Sequence, residues 1–291
     1  MKVLITGASG QLGWELRRTA PEGWDIHTFD SNALDITQAG TVKKTLATIR
    51  PQYVINAAAY TAVDKAETEF QKAYAVNAEG AANVAKSALE AGARLLHVST
   101  DFIFDGESSR PYQPIDKPNP IGVYGASKLE GENRVAEIYH GDVTILRTAW
   151  VYSVHGANFV KTMLRLMKER DRLNIISDQI GTPTWAGKLA QAIWKMTAMP
   201  ELKGYYHWTD AGVASWYDFA VAIYEEACSI ELLQKPVEIH PIGTKDYPLP
   251  ARRPSFSVLD KTDTWAVVGE AQHWRWSLRE MLRELKEANY A

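Results

Sequence analysis

The sequence is almost without cysteine: Cys228 is the only one in 291 residues. A single thiol excludes an internal disulfide and any cysteine-based zinc cluster. It is expected to be a small buried hydrophobe in a reducing cytoplasm. A dominant charge sign is also missing. The 32 Lys and Arg nearly balance 35 Asp and Glu, for a formal net charge of −3. No basic field therefore advertises nucleic acid or an acidic membrane surface. Long apolar runs are absent too, since no stretch approaches the ~18 residues of a membrane span. The chain opens directly on Lys2-Val3-Leu4-Ile5, with no basic segment leading into an apolar one, so no signal peptide is expected.

What remains is an ordinary globular composition, long enough for one large α/β domain or for a Rossmann domain plus a smaller lobe. Val3–Thr6, Ile26–Phe29, Tyr53–Asn56, Leu95–Ser99 and Val143–Arg147 read as short, apolar, β-branched strands. Such runs suit parallel strands covered on both faces. Leu12–Arg18, Thr41–Ile49 and Ala78–Ala91 read as the crossover helices between them. The alternation predicts an α/β fold with a Rossmann-type, doubly wound parallel sheet. From Trp150 the texture changes to frequent Trp, Tyr and Pro. Helices are expected at Phe159–Glu169, Ala186–Met199, Trp216–Cys228 and Leu278–Ala288. The expected division is an NAD(P)-binding Rossmann domain over residues 1–149 and a smaller, mainly substrate-binding C-terminal lobe over 150–291. Some segments of that lobe, such as Gly204–Trp208, are expected to return to the sheet.

Thr6-Gly7-Ala8-Ser9-Gly10-Gln11-Leu12-Gly13 follows the first strand and opens a helix. Gly7 permits the tight turn, Gly10 lets backbone approach a pyrophosphate, and Gly13 lets the helix pack closely on the sheet. The helix N-terminus offers free N–H groups and the positive end of its dipole. Glycine triplets are common in turns, but here strand, glycines and helix come in order, and Asp30 closes the second strand. An acidic residue there suits an adenosine ribose, although Asp30 also suits a turn cap.

Tyr124-Gly125-Ala126-Ser127-Lys128 places Tyr124 and Lys128 at i and i+4, on one face of a helix. A phenol is a poor acid or base near neutrality, and an adjacent ammonium is expected to stabilise its phenolate. The spacing alone proves little, since 13 tyrosines make roughly one chance Tyr-x-x-x-Lys match expected. Ser99-Thr100-Asp101 adds weight by ending a strand where open α/β sheets bind ligands. A Thr100 hydroxyl there can polarise a carbonyl beside Tyr124. Together Tyr124, Lys128 and Thr100 form the candidate catalytic set.

At these residues the chain resembles the dTDP-4-dehydrorhamnose reductase family of extended short-chain dehydrogenases/reductases. The resemblance includes the TGxxGxxG loop, Asn56-Ala57-Ala58-Ala59-Tyr60-Thr61 and Val63-Asp64-Lys65-Ala66-Glu67. It continues through Ser99-Thr100-Asp101, Arg147-Thr148-Ala149-Trp150, Asp178-Gln179-Ile180-Gly181-Thr182-Pro183-Thr184 and Arg253-Pro254. It implies a cofactor, NADH or NADPH, lined by Gly7, Gly10, Gln11, Leu12, Gly13, Asp30, Asp35, Ile36, Ala57, Ala58, Tyr60, Tyr124 and Lys128. It further implies a nucleotide-sugar substrate facing Thr100, Asp101 and Trp150, with Arg253 on the diphosphate. Core packing is the plainer reading of Trp150 and a surface charge that of Arg253. Phe256 stands where the family often has Asn. Some members pair through a metal held by carboxylates. Glu15 fits that pattern, but Gly187 occupies the place of a second carboxylate, so no metal is expected. Partners reduce to the small molecules, with a monomer or homodimer left open.

Three functions compete. The first is reduction of the C4 ketone of dTDP-4-dehydro-L-rhamnose or of another NDP-4-keto-6-deoxysugar. The second is a dehydratase or epimerase of the same superfamily. Dehydratases carry Thr-Asp-Glu on this strand end, and here Phe102, which cannot take a proton, follows Asp101. The third is a non-catalytic binding subunit resembling that of methionine adenosyltransferase, which the intact Tyr124/Lys128/Thr100 set disfavours. Asp30, with no cation among Ser31, Asn32 and Ala33, predicts NADH accepted at least as well as NADPH. Arg17 and Arg18 are the nearby cations that a 2′-phosphate would need.

Overall fold

The computed structural model describes residues 1–290. The chain runs β1 (Lys2–Thr6), α1 (Gln11–Arg18), β2 (Asp25–Phe29), α2 (Ala39–Ile49) and β3 (Tyr53–Asn56). Next come the short helices α3 (Val63–Ala66) and α4 (Phe70–Tyr74), a π-helical turn over Ala75–Gly80, and α5 (Ala81–Glu90). Then follow β4 (Arg94–Thr100), a 3₁₀ turn over Asp101–Ile103, α6 (Val123–Ile138) and β5 (Thr144–Thr148). These strands are nearly continuous buried runs, Tyr53–Asn56 and Thr144–Thr148 being buried at every position. That pattern is what helices on both faces of a parallel sheet require. Helix α2 ends where Arg50 turns left-handed, at φ 50°, immediately before Pro51.

The second half supplies β6 (Val151–Tyr152), α7 (Phe159–Glu169), β7 (Arg172–Ile176), β8 (Ile180–Gly181), β9 (Thr184–Trp185) and α8 (Ala186–Thr197). It ends with β10 (Gly204–His207), β11 (Ala214–Ser215), α9 (Trp216–Ser229), β12 (Glu238–Ile242), α10 (Thr262–Val268) and α11 (Trp274–Tyr290). Helix α7 buries Val160, Met163, Leu164 and Met167, a stripe at helical spacing, and Asn158 caps its N-terminus by accepting from Lys161 N at 3.1 Å. Helix α9 starts with a reciprocal capping box between Ser215 and Asp218.

Six parallel strands lie in the order β10-β5-β4-β3-β1-β2. The order reverses between β1 and β3, so the crevice above their C-terminal ends is the place where such sheets bind ligands. One face is covered by α2, α5 and α6 through a core including Leu4, Val54, Leu95 and Ile145. The other packs α1 and α8 on Val3, Ile5, Ile55 and Leu96. A separate core joins α7, α9 and α11 around Phe219, Ile223, Leu278 and Met281. The segment expected to return to the sheet does so: β10 pairs with β5 from Gly204↔Thr144 to His207↔Arg147. The run expected as one helix from Ala78 instead begins in a π-helical turn. A Cβ at Gly131 of α6 would lie 2.1 Å from the Asn77 carbonyl, so the two segments press backbone to backbone there.

Candidate active site

The glycine-rich loop sits at the topological switch point. Gly7 has φ +76°, and a Cβ there would lie 2.7 Å from the backbone of Ala57 and Ala58 at the end of β3. A Cβ on Gly13 would come within 2.2 Å of the Gly7 carbonyl. The fold itself demands both glycines. Gly10 differs: its φ is −74° and its Cβ would meet only the Gly7 oxygen, at 3.3 Å. Nothing inside the protein strongly demands a glycine there, so the reason lies in what approaches from outside. Gly10 caps α1 without a side-chain hydrogen bond, leaving the first-turn N–H groups of Gln11, Leu12 and Gly13 facing the crevice end of the helix. A bare backbone cradle at a helix N-terminus fits a dinucleotide diphosphate.

Around this cradle the expected cofactor residues are in part engaged by the protein. Asp30 Oδ1 accepts from Asn32 N at 3.0 Å and Ala33 N at 2.9 Å, so the turn-cap reading holds for that oxygen. Asp35 Oδ1 accepts from the Thr37 amide and hydroxyl, which hold its carboxyl below the usual range. Ile36 is buried and fills the space that Gly80 leaves open. Tyr60 is pinned by its backbone: its N–H donates to Asn77 Oδ1 at 2.8 Å and its carbonyl accepts from Asn77 Nδ2 at 3.1 Å. Arg18 is committed to the buried Glu15, at 2.7 Å, and also reaches Glu284 at 3.3 Å. Arg17 is exposed.

The catalytic candidates converge beyond the end of β4. Helix α6 carries Tyr124 and Lys128, and its close approach depends on Gly125, whose Cβ would lie 2.1 Å from the Phe102 carbonyl. Asn77 Nδ2 donates to Ser127 Oγ at 3.0 Å, and that hydroxyl donates to the Tyr124 carbonyl at 2.8 Å. Burial pushes the Tyr124 phenol up to about 12, with the Thr100 hydroxyl opposing the rise and the Asp101 carboxylate adding to it. Burial also pushes the Lys128 ammonium down to about 8, against the attraction of Glu132 one turn further on. Lys128 Nζ donates to the Val98 carbonyl at 2.7 Å, and burial is the main cause of the tyrosine's shift. Near neutral pH the phenol is therefore protonated, the form a proton donor must have.

Asp101 is 2% exposed, and burial pushes its carboxyl up to about 6. Phe102 lies edge-on to the Tyr124 ring, with centroids 5.5 Å apart. Trp150 is both packed and unusual. It stacks on Trp216 with centroids 3.5 Å apart, its φ is +47°, and Gly181 leaves the space for its indole. A left-handed tryptophan costs on the order of 1–3 kcal/mol and persists only where surroundings fix it. Arg253 makes a bidentate pair with Asp64, at 3.0 and 2.7 Å, tying the late loop to the segment after β3. Phe256 packs against the Ile103, Phe104 and Leu259 core, which gives the departure from Asn an apolar role.

Sequence reading gave no role to Asn77, one of the residues that carry the family resemblance, or to the buried pair Arg147–Glu132, at 2.8 Å with side chains 3% and 0% exposed. Arg147 also donates to the Pro114 carbonyl at 3.0 Å. The signal for Glu132 was its place at i+4 from Lys128. As for a metal, Glu15 is used by Arg18 and by Ser153, which donates at 2.7 Å. A Cβ on Gly187 would lie 2.9 Å from the Trp185 indole. Among the described residues no group of three His, Cys, Asp or Glu is placed to hold an ion.

A glycine cradle at the β1/β3 switch point, with Tyr124, Lys128 and Thr100 at the end of β4, defines a Rossmann-type protein of the extended short-chain dehydrogenase/reductase class. Within it, the chain belongs to the family described as RmlD substrate binding domain, whose model matches residues 1–287. It is 41% identical over 288 residues to a dTDP-4-dehydrorhamnose reductase of Aggregatibacter actinomycetemcomitans, covering 96% of this chain and 98% of that one. Its fold matches the crystal structure of a dTDP-4-dehydrorhamnose reductase from Clostridium acetobutylicum with a TM-score of 0.92 at 40% identity, over 98% of this chain and 100% of the other. The Bacillus anthracis dTDP-4-dehydrorhamnose reductase, solved in complex with NADP, matches with a TM-score of 0.92 at 39% identity, over 97% and 99% of the two chains.

Proposed function

We propose that this protein reduces the C4 ketone of dTDP-4-dehydro-L-rhamnose to dTDP-L-rhamnose, using NADH or NADPH. The observation that carries the reading is the meeting of a half-buried Tyr124 with Thr100 at the end of β4 while Phe102 occupies the position of a dehydratase base. The names of the family's relatives support the substrate. Residues 1–149 mainly hold the cofactor and 150–291 mainly the sugar nucleotide, with α8 and β10 returning to the sheet. The protein acts in the cytoplasm as a monomer or homodimer; no described helix is long and apolar enough to cross a membrane.

The backbone of Gly7, Gly10, Gln11, Leu12 and Gly13 would hold the cofactor diphosphate. Asp30, Asp35, Ile36, Ala57, Ala58 and Tyr60 would line its adenosine and central portion. A bound dihydronicotinamide supplies a hydride for the C4 carbonyl carbon. Tyr124 gives its proton to the developing alkoxide oxygen, and Thr100 donates a hydrogen bond to the same oxygen. Lys128 presents its ammonium to the nicotinamide ribose, exchanging the Val98 carbonyl for ribose hydroxyls. Asp101 and Trp150 face the sugar nucleotide, and Arg253 approaches its diphosphate from the Asp64 pair. Incubation with NADH and dTDP-4-dehydro-L-rhamnose should yield dTDP-L-rhamnose. Oxidation of cofactor without that product would reject the reading.

A further inference from the structure

The hydrogen bonds around Thr100 do not leave its hydroxyl free to serve a ketone. A threonine hydroxyl has one proton and two lone pairs. Phe102 N donates to Thr100 Oγ1 at 3.2 Å, which fills one lone pair. Asp101 Oδ1 lies 3.1 Å from the same oxygen. An ionised Asp101 is acceptor-only, so that contact consumes the single Thr100 proton and leaves a lone pair facing the substrate. A lone pair repels a developing alkoxide. If Asp101 carries a proton, the contact reverses. Both lone pairs of Thr100 are then filled by donors, and its own proton turns toward the Tyr124 oxygen and the substrate position beside it.

We propose that Asp101 takes part in the reduction as a neutral carboxylic acid, donating to Thr100 so that the Thr100 proton is free for the C4 oxygen; this rests on the reductase reading above. Asp101 keeps its proton throughout. The proton delivered to the substrate is that of Tyr124, which solvent replaces.

The surroundings of Asp101 shift it toward the neutral form. Its Oδ2 is buried with no hydrogen-bond partner, a costly position for a carboxylate and a tolerable one for an acid. Among the described residues no lysine, arginine or histidine donates to it. Helix α6 brings Tyr124, a neutral phenol, and Lys128, whose ammonium is turned to the Val98 carbonyl. The late loop brings the Ser257 hydroxyl, while its arginine, Arg253, is held by Asp64. From β5, the register partner of Thr100 is Thr148, whose hydroxyl is buried and unpartnered. Burial lifts the carboxyl to about 6, against Ser257 and Thr100. Neutral Asp101 also relieves Tyr124 of a charge that makes its proton harder to give.

The test is the pH dependence of kcat/KM together with two substitutions. In the wild-type enzyme kcat/KM should fall as pH rises through the titration of Asp101, and fall again through that of Lys128. Asp101→Asn keeps an N–H donor for Thr100 at every pH. It should cost less than about tenfold in kcat and abolish the first fall. Asp101→Ala removes the acceptor together with the donor, so it too should abolish the first fall, and adding it to Thr100→Val should cost little more, because both act through one hydrogen bond. Cofactor binding by fluorescence confirms that each variant is folded. Independently of turnover, infrared difference spectra should contain a buried carboxylic-acid C=O band that titrates in the wild type and is absent from Asp101→Asn. Survival of the first fall in either Asp101 variant, additive losses with Thr100→Val, or no titrating band would overturn the proposal. A titrating band in an enzyme that fails to reduce the sugar would instead count against the substrate assignment.

Discussion

The two ends of the catalytic crevice are built on opposite principles. At the β1/β3 end the protein offers backbone and removes side chains. Gly7 and Gly13 are required by contacts of 2.7 and 2.2 Å, and Gly10 is left open toward the crevice. At the β4 end it buries Asp101, raised to about 6, and Lys128, lowered to about 8, beside a half-buried Tyr124 raised to about 12. The first end works through geometry that any folded copy possesses. The second works through protonation states that depend on every neighbour. Damage at the first should therefore appear in binding and stability, and damage at the second in turnover and its pH dependence.

The largest effect is expected where the second principle meets the core. Glu132 and Arg147 are both nearly inaccessible, and removing one partner strands a buried charge. Glu132→Gln should lower unfolding stability by about 3–5 kcal/mol in a denaturant titration, whereas replacing both with Leu and Met should cost much less. A loss below about 1 kcal/mol in the single variant would show that water reaches the pair. Next is Tyr124→Phe, expected to lower kcat by about 10²-fold or more while the affinity for cofactor is kept. Near-normal turnover would remove Tyr124 from the mechanism. The glycines give the sharpest contrast. Gly7→Ala forces a Cβ into the β3 backbone and a positive φ on alanine, and should cost about 1–3 kcal/mol of stability. Gly10→Ala should leave the melting temperature almost unchanged and weaken cofactor binding. Similar thermal losses in both would mean that Gly10, too, is a folding requirement.

The same division explains what could be read from the sequence. A cradle made of absent side chains is written in the glycines and their spacing, and Tyr124 with Lys128 is written in a helical interval. Strand ends were legible wherever apolar runs stopped, which placed Thr100 correctly and even returned Gly204 to the sheet edge. The direction of the Lys128 ammonium was not legible, because it depends on a Val98 carbonyl brought beside α6 by tertiary packing. Nor was the Arg253–Asp64 pair, whose members are 189 residues apart. The buried state of Asp101 comes from Ser257 and α6 closing over the end of β4, and a local window contains neither.

Cofactor choice is the smallest expected effect, and it lies on the boundary between the two principles. Asp30 ends β2 with a carboxylate, but its Oδ1 also holds the amides of Asn32 and Ala33. An ionised group there repels a 2′-phosphate and keeps both amides from reaching one. Arg18 offers little relief, since Glu15 and Glu284 engage it, and Arg17 is exposed in the last turn of α1, the end away from the glycine loop. NADH should therefore be used at least as well as NADPH, even though the Bacillus anthracis relative was solved with NADP. Asp30→Ala removes the repulsion and frees two N–H donors in one step, so its preference should move toward NADPH. Steady-state kcat/KM with each cofactor, in both proteins, measures the shift. A tenfold or greater advantage for NADPH in the wild type, about 1.4 kcal/mol of transition-state binding, would mean that the arginines of α1 govern this end of the site and that the Asp30 carboxylate serves only its turn.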